Sequence, residues 1–174
     1  MRSIKELVAM LKADYAQQCN REQEPGELEA FSIFCDGRDI RGGEYWLMPE
    51  DNFYEPALKL LEKADVLFDL GAGDLQFALL ASERVKLVYA IEINPTILGR
   101  ALTLVGLDLP KNVIPICGDG FTYPLPGNVT KIACLMIHRG HDFSEAMLAL
   151  PIIWAAHVGL CQVGTWHLPG GKSK

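Results

Sequence analysis

The sequence predicts an α/β fold: a doubly wound, mainly parallel sheet with helices on both faces, shortened at its C-terminal end and preceded by an N-terminal helical segment. Three observations predict it. From residue 65 onward, short apolar runs alternate with helical segments, the pattern of βαβ units. The runs are rich in Val, Ile and Leu without strict alternation, as expected of strands covered on both faces. The first of them meets its helix at a glycine turn, Asp69-Leu70-Gly71-Ala72-Gly73-Asp74.

Residues 3–18 read as an amphipathic helix, with Ile4, Leu7, Val8, Leu11 and Tyr15 at helical spacing. Ser3 and Glu6 form a capping-box pair at its start. Residues 19–52 are polar and glycine-rich, with aromatics among them, and read as loops and short turns. A second helix is expected over 55–64, with Pro56 in its first turn, where the missing N–H costs nothing.

The expected strands are Val66–Leu70, Leu87–Ile91, Val113–Ile116, Ile132–Ile137 and Leu160–Trp166. Helices are expected over Leu75–Ser82, Pro95–Val105 and roughly Phe143–Val158, the last kinked or restarted at Pro151. Asn94-Pro95 is a strong helix start, with Asn at the cap and Pro at the first helical position. Residues 1–64 are therefore read as a helical cap segment and 65–174 as the ligand-binding domain, together one compact unit.

Composition narrows the function. The chain has 174 residues, 49% of them hydrophobic and 22% charged, enough for one core and ordinary for a globular domain. No apolar run is long enough to span a membrane, and the N-terminus has no signal-peptide pattern. Five cysteines, none in a CxxC pair, suggest neither a zinc site nor a disulfide framework and suit a reducing cytoplasm. The net charge is −6, with thirteen acids against eight Lys/Arg in residues 1–64. No basic cluster stands out to neutralise a row of phosphates, which argues against nucleic acid as partner.

The glycine turn carries the chemistry. Glycines permit a tight turn and close approach of a ligand, and N–H groups at a helix start attract an anion. A nicotinamide fingerprint would read GxGxxG, but Gln76 occupies the third position. Asp69, two residues before the first glycine, would repel a pyrophosphate and suits an ammonium group. The turn therefore favours a zwitterion, an amino acid moiety. Glu92 ends the second strand 21 residues after Gly71, where a carboxylate can accept from ribose hydroxyls. Gly118-Asp119-Gly120 follows the third strand, where an aspartate can meet an adenine amino group. His138-Arg139 ends the fourth and opens onto the same crevice.

In this order and spacing, Val66 to about Ile137 resembles the cofactor half of a class I (Rossmann-like) S-adenosylmethionine-dependent methyltransferase. The resemblance implies that Asp69 and the turn Gly71, Ala72, Gly73, with Asp74, hold the methionine end of S-adenosyl-L-methionine. It implies ribose binding by Glu92, beside Asn94, and packing of Ile93 on the adenine. It also implies that Asp119, between Gly118 and Gly120, meets the adenine amino group. The stretches Asp-Leu-Gly-Ala-Gly-Asp and Ile-Glu-Ile-Asn-Pro are similar to short prokaryotic relatives of protein-lysine methyltransferases. In those a Tyr/Pro-containing segment precedes the first strand, a part open to Tyr45, Pro49 and Phe53.

Two departures from the family stand out. Leu75 replaces a third glycine, and the chain ends soon after its expected fifth strand, where the family adds an antiparallel hairpin. Alternatively Leu168-Pro169-Gly170-Gly171 is the turn before a fifth strand, and the strand itself is missing. Either way the sheet is short: completed by the N-terminal segment, completed by a partner chain, in a homo-oligomer, or a naturally minimal form.

Methyl transfer is an in-line displacement at an already activated carbon, so positioning dominates and no strict catalytic residue is required. His138 is the candidate general base. His138, His141 and Asp142 match no strong metal-ligand spacing, and no metal is expected. Tyr45, Trp46, Phe53 and Tyr54 are either walls of a substrate channel or core cover. The expected activity is methyl transfer to a protein amine or a small molecule, with two competitors. One is an idle S-adenosylmethionine-binding module; the other is a nicotinamide-dependent oxidoreductase, which Asp69 and Gln76 disfavour.

Overall fold

A computed structural model describes the backbone of residues 1–19, 51–135, 143–158 and 160–166. Helix α1 (Ile4–Cys19) opens the chain. Its capping box is formed: Ser3 N donates to Glu6 Oε2 at 2.7 Å and Glu6 N to Ser3 Oγ at 3.3 Å. Leu7, Val8 and Leu11 are buried, as the helical spacing predicts.

Helix α2 spans Asp51–Leu58, not 55–64. The chain leaves the helix through tighter turns, Leu60 N to Ala57 O and Leu61 N to Leu58 O. Asp65 Oδ2 then takes the Glu62 N–H at 2.7 Å. Pro56 consequently lies inside the helix, past the first turn.

Next come β1 (Val66–Leu70), α3 (Gln76–Ser82), β2 (Leu87–Glu92), α4 (Pro95–Val105), a short 3₁₀ turn (Gly106–Asp108) and β3 (Val113–Cys117). The strands and helices match the expected elements within a residue, and the 3₁₀ turn has no counterpart among them. β4 is Lys131–Leu135, and the expected extension through residue 137 lies outside the described residues.

The C-terminal part differs from expectation. The helix expected over Phe143–Val158 is a single turn, α5 (Glu145–Leu148), capped by Ser144, whose Oγ accepts from Met147 N. Beyond Pro151 the chain forms β5 (Ile152–Val158), parallel to β4, and β6 (Leu160–Trp166), antiparallel to β5. Pro151 cannot continue a helix, but its carbonyl accepts from Ile132 N at 3.0 Å and starts the pairing that β4 needs on its outer side. The strand expected in fifth place is therefore the sixth, and the fifth is present.

The sheet order is β3-β2-β1-β4-β5-β6. Among the described residues, only the β5–β6 pair is antiparallel. Both faces are covered. α1, α3 and α4 pack on one, around Leu7, Leu67, Leu79, Leu98 and Val105. On the other, Phe68, Ile132 and Ile152 meet Met147 of α5, with Phe121 and Phe143 edge to face at 5.5 Å. β1 is buried at all five positions, which explains its unbroken apolar run around Asp69. The strand order reverses between β1 and β4, and ligands of open α/β sheets bind at the carboxyl ends of strands beside such a reversal.

Arg2 ties the start of the chain to the end of α4, through Asp108 Oδ2 at 2.7 Å and the carbonyls of Leu104 and Val105. Arg100 of α4 grips Asp14 of α1 with two bonds, 2.6 and 2.7 Å. No helix of the described residues is long and apolar enough to cross a membrane.

Candidate functional site

The glycine turn folds over the end of β2. Gly71 N and Ala72 N both donate to Ile91 O at 2.9 Å, and Gly73 N donates to Glu92 Oε2 at 2.8 Å. Gly71 (φ 76°) and Gly73 (φ 55°) are left-handed, the reason glycine stands at both. Leu75 is left-handed as well (φ 70°), and it is the one such non-glycine residue described. Leu75 thus takes a backbone conformation that glycine adopts most cheaply. Leu75 is fully buried, so its packing offsets backbone strain of about 1–2 kcal/mol.

Asp69 sits on β1 between Ala90 of β2 and Ala133 of β4 and is 2% exposed. Its Oδ2 has no hydrogen-bond partner. Burial, with Glu92's charge adding to it, pushes its carboxyl up to about 8. Asp74 accepts from Gln76 Nε2 at 2.7 Å and from Gln76 N at 3.4 Å. Burial raises its pKa and these bonds oppose the rise. Glu92 accepts from Asn94 N at 2.7 Å through Oε1, besides the Gly73 bond; burial again raises its pKa against the pull of those N–H groups.

Asn94 caps α4 as expected, its Oδ1 accepting from Thr96 N at 3.0 Å and Ile97 N at 3.3 Å. Ile93 beside it is half-buried. After β3, Gly118 N donates to Glu92 O at 2.9 Å, and Asp119 Oδ1 accepts from Phe121 N at 3.0 Å. Gly120 is sterically required: a Cβ there would run into Leu70 Cδ1 and come within 2.9 Å of Ile91 Cγ2. At Gly118 nothing lies closer than 3.8 Å.

The structure thus brings Asp69, Gly71–Gly73, Asp74, Glu92, Ile93, Asn94 and Gly118–Gly120 to one edge of the sheet, the carboxyl ends of β1, β2 and β3. His138, Arg139, His141, Asp142, Tyr45, Trp46 and Pro49 lie outside the described residues, as does the side chain of Phe53. Tyr54 is core cover, tilted against Phe77 at 5.5 Å.

Among the described residues, the buried side-chain atoms lacking a partner are Asp69 Oδ2, Gln76 Oε1 and Asn94 Nδ2. All three belong to this edge. Asp69 Oδ2 and Gln76 Oε1 are acceptors and Asn94 Nδ2 is a donor; buried polar atoms are nearly always paired, so the unmet Asp69 oxygen fits a ligand that brings a donor and positive charge. An α-ammonium group is such a donor, and the residues therefore fit the methionine end of S-adenosylmethionine. Gln76 was noticed in the sequence only as a missing glycine; the Asp-x-Gln spacing that closes a turn back on Asp74 was its available signal.

The fold has counterparts among known proteins. The AdoMet complex of TYW2 from M. jannaschii superposes with a TM-score of 0.52 at 25% identity, over 63% of this chain and 54% of that one. The fold is that of the class I S-adenosylmethionine-dependent methyltransferases. An RNA methyltransferase from Salinibacter ruber, in complex with S-adenosyl-L-homocysteine, shares this methyltransferase fold with a TM-score of 0.56 at 17% identity, over 74% and 97% of the two chains. In sequence, the chain is similar to the tRNA (guanine(37)-N(1))-methyltransferase Trm5b of Pyrococcus abyssi, 34% identical over 87 residues, 50% of this chain and 26% of that protein. The chain spans about a quarter of the length of the curated relatives it matches. No family model matches it. None of these three methyltransferases is named as a protein-lysine enzyme, the subgroup the sequence suggested.

Proposed function

We propose that this chain binds S-adenosyl-L-methionine at the carboxyl edge of β1–β3 and forms the cofactor-binding part of a methyltransferase. The observation that carries the reading is the unpartnered, buried Asp69 Oδ2 beneath a left-handed glycine turn, beside the reversal of strand order. The cofactor, when bound, supplies a methyl group activated on a sulfonium. Asp69 pairs with the ammonium group, Gly71, Ala72 and Gly73 let the ligand approach the backbone, and Asp119 and Ile93 hold the adenine. His138 is the proposed base that takes a proton from the acceptor. Residues 65–174 are the proposed cofactor-binding part, preceded by the segment 1–64, whose α1 packs on one face of the sheet.

For the acceptor, the net charge of −6 favours a protein amine or a small molecule. The identity with the tRNA enzyme favours RNA as the second reading.

Calorimetric titration with S-adenosylmethionine, S-adenosylhomocysteine and NAD tests the cofactor. Micromolar binding of the two sulfur compounds, none of NAD, and a loss of about 10–100-fold in Asp69→Ala are expected. No binding by folded protein, or equal binding by Asp69→Ala, overturns the reading. Incubation with methyl-labelled cofactor and either bulk tRNA or total protein then separates the acceptors. Binding without transfer to any acceptor supports the idle module.

A further inference from the structure

The loops that enter the sheet and the turns that leave it carry opposite charge. Lys59 and Lys63 precede β1, Arg84 and Lys86 precede β2, and Lys111 precedes β3; all five are exposed. The turns that follow the same strands, at the candidate site, hold Asp74 and Asp119 and contain no Lys or Arg.

The fold draws the entering loops together at the amino edge. Lys63 Nζ donates to Glu83 O at 3.4 Å, Lys86 N to Asp65 O at 2.9 Å, and Asn112 Nδ2 to Ser82 O at 2.9 Å. Lys131, at the start of β4, donates to Leu60 O at 2.7 Å and pairs with Asp65, so that acid is already neutralised. Lys59, Arg84, Lys86 and Lys111 have no side-chain ion pair among the described residues. Glu62 and Glu83 are the exposed acids of these loops, so five cations stand against two acids. On a chain of net charge −6 this is a local reversal of sign. No run of cations announces it, because three separate segments build it.

A row of phosphates is matched by cations spread along a surface, each displacing a counterion. Such contacts position a nucleic acid and are distinct from those made to its bases. The carboxyl edge, with its acids, can admit a base but repels the backbone that carries it. The backbone needs cations elsewhere, and the amino edge supplies them.

We propose that the amino edge of the sheet holds the phosphate backbone of an RNA through Lys59, Lys63, Arg84, Lys86 and Lys111. This deepens the reading of RNA as acceptor and rests on it. The strands between the two edges are five or six residues long, about 17–20 Å, a span that a folded RNA can bridge while one base reaches the carboxyl edge.

The test measures binding of labelled bulk tRNA by fluorescence anisotropy over a range of salt, with no cofactor present. The triple variant Arg84→Glu, Lys86→Glu, Lys111→Glu should bind about 10-fold more weakly or worse, and its logarithmic salt slope should fall by about 2. The milder triple change of the same residues to Gln should lower the slope as well, and it serves should the Glu variant not fold. A control with Lys5→Glu, Lys172→Glu and Lys174→Glu changes the net charge equally and should bind almost as the wild type does. No binding of tRNA by folded wild type overturns the proposal, as does equal weakening in the control or unchanged binding in both amino-edge variants. Capture by phosphatidylserine vesicles without binding of tRNA also overturns it, in favour of a membrane surface. Titration of the Gln variant with S-adenosylmethionine should give the wild-type affinity. A wild type that binds tRNA through this edge and binds no S-adenosylmethionine keeps the surface and loses the cofactor reading.

Discussion

Two aspartates four residues apart, at opposite ends of β1, are both buried and have opposite surroundings. Asp65 is 9% exposed and Asp69 2%. Around Asp65 every need is met: Lys131 Nζ donates at 2.8 Å, Glu62 N at 2.7 Å and Thr130 Oγ1 at 3.1 Å. Burial pushes its carboxyl upward, yet the Lys131 contact and the other donors outweigh it and leave it below the ordinary carboxylate range. Asp69 has no ion pair among the described residues and an unpartnered oxygen, and burial takes it to about 8. One end of the strand is complete in itself and reads as scaffold. The other carries an electrostatic deficit that a cationic ligand would cancel, and perturbed groups of this kind mark functional sites.

The comparison breaks most sharply at Lys131. Its replacement by Met leaves Asp65 buried without its cation and should cost about 3 kcal/mol in denaturant unfolding. Cofactor affinity should be unchanged. Equal loss of affinity would mean that the two ends of β1 are not independent.

A smaller effect separates the two aspartates by pH. Folded, Asp69 keeps its proton up to about pH 8, whereas the unfolded chain releases it near 3.8. Between these values the folded state binds more protons, so Asp69's contribution to stability falls as pH rises from about 4 to about 8. Asp65 has the opposite sign: its contribution is present above the ordinary value of 3.8 and is lost as pH falls through its lowered folded value. Asp69→Asn should therefore raise the thermal midpoint of the ligand-free protein near pH 8 and flatten its decline above pH 5. A midpoint that declines as steeply in the variant places the titrating group elsewhere.

The smallest effect is at Leu75. Leu75→Ala loses packing and keeps the strain, while Leu75→Gly loses the same packing and relieves it. Glycine should be the more stable replacement by about 1 kcal/mol, the reverse of their order inside a helix. If alanine is better, position 75 is not left-handed in solution.

Much of this site was legible because its signals are local. Asp-Leu-Gly-Ala-Gly-Asp marks a strand running into a turn that only glycine makes cheaply, and Asn94-Pro95 marks a helix start by cap chemistry alone. Both stand where they were expected. Less local features were missed. The run Ile152–Val158 has no helix-excluding residue after Pro151, and its strand character comes from pairing with β4 on one side and β6 on the other. Helix α2 gives way after Leu58 to tighter turns, and Asp65, whose own partner Lys131 comes from β4, then takes the Glu62 N–H.

Sequence alone determined the fold class and the candidate residues that gather at one edge of the sheet, because strand runs, caps and glycine turns act over a few neighbouring residues. Tertiary structure alone decided what each carboxylate does. Four acids of similar chemistry converge on one edge, one of them, Asp119, accepting from Phe121 N. Asp74 is taken by Gln76 and Glu92 by two N–H groups, and only Asp69 keeps a buried oxygen unpartnered. Hydrogen-bond partners drawn from distant segments, and the burial that makes an unmet bond costly, exist only once the sheet is assembled.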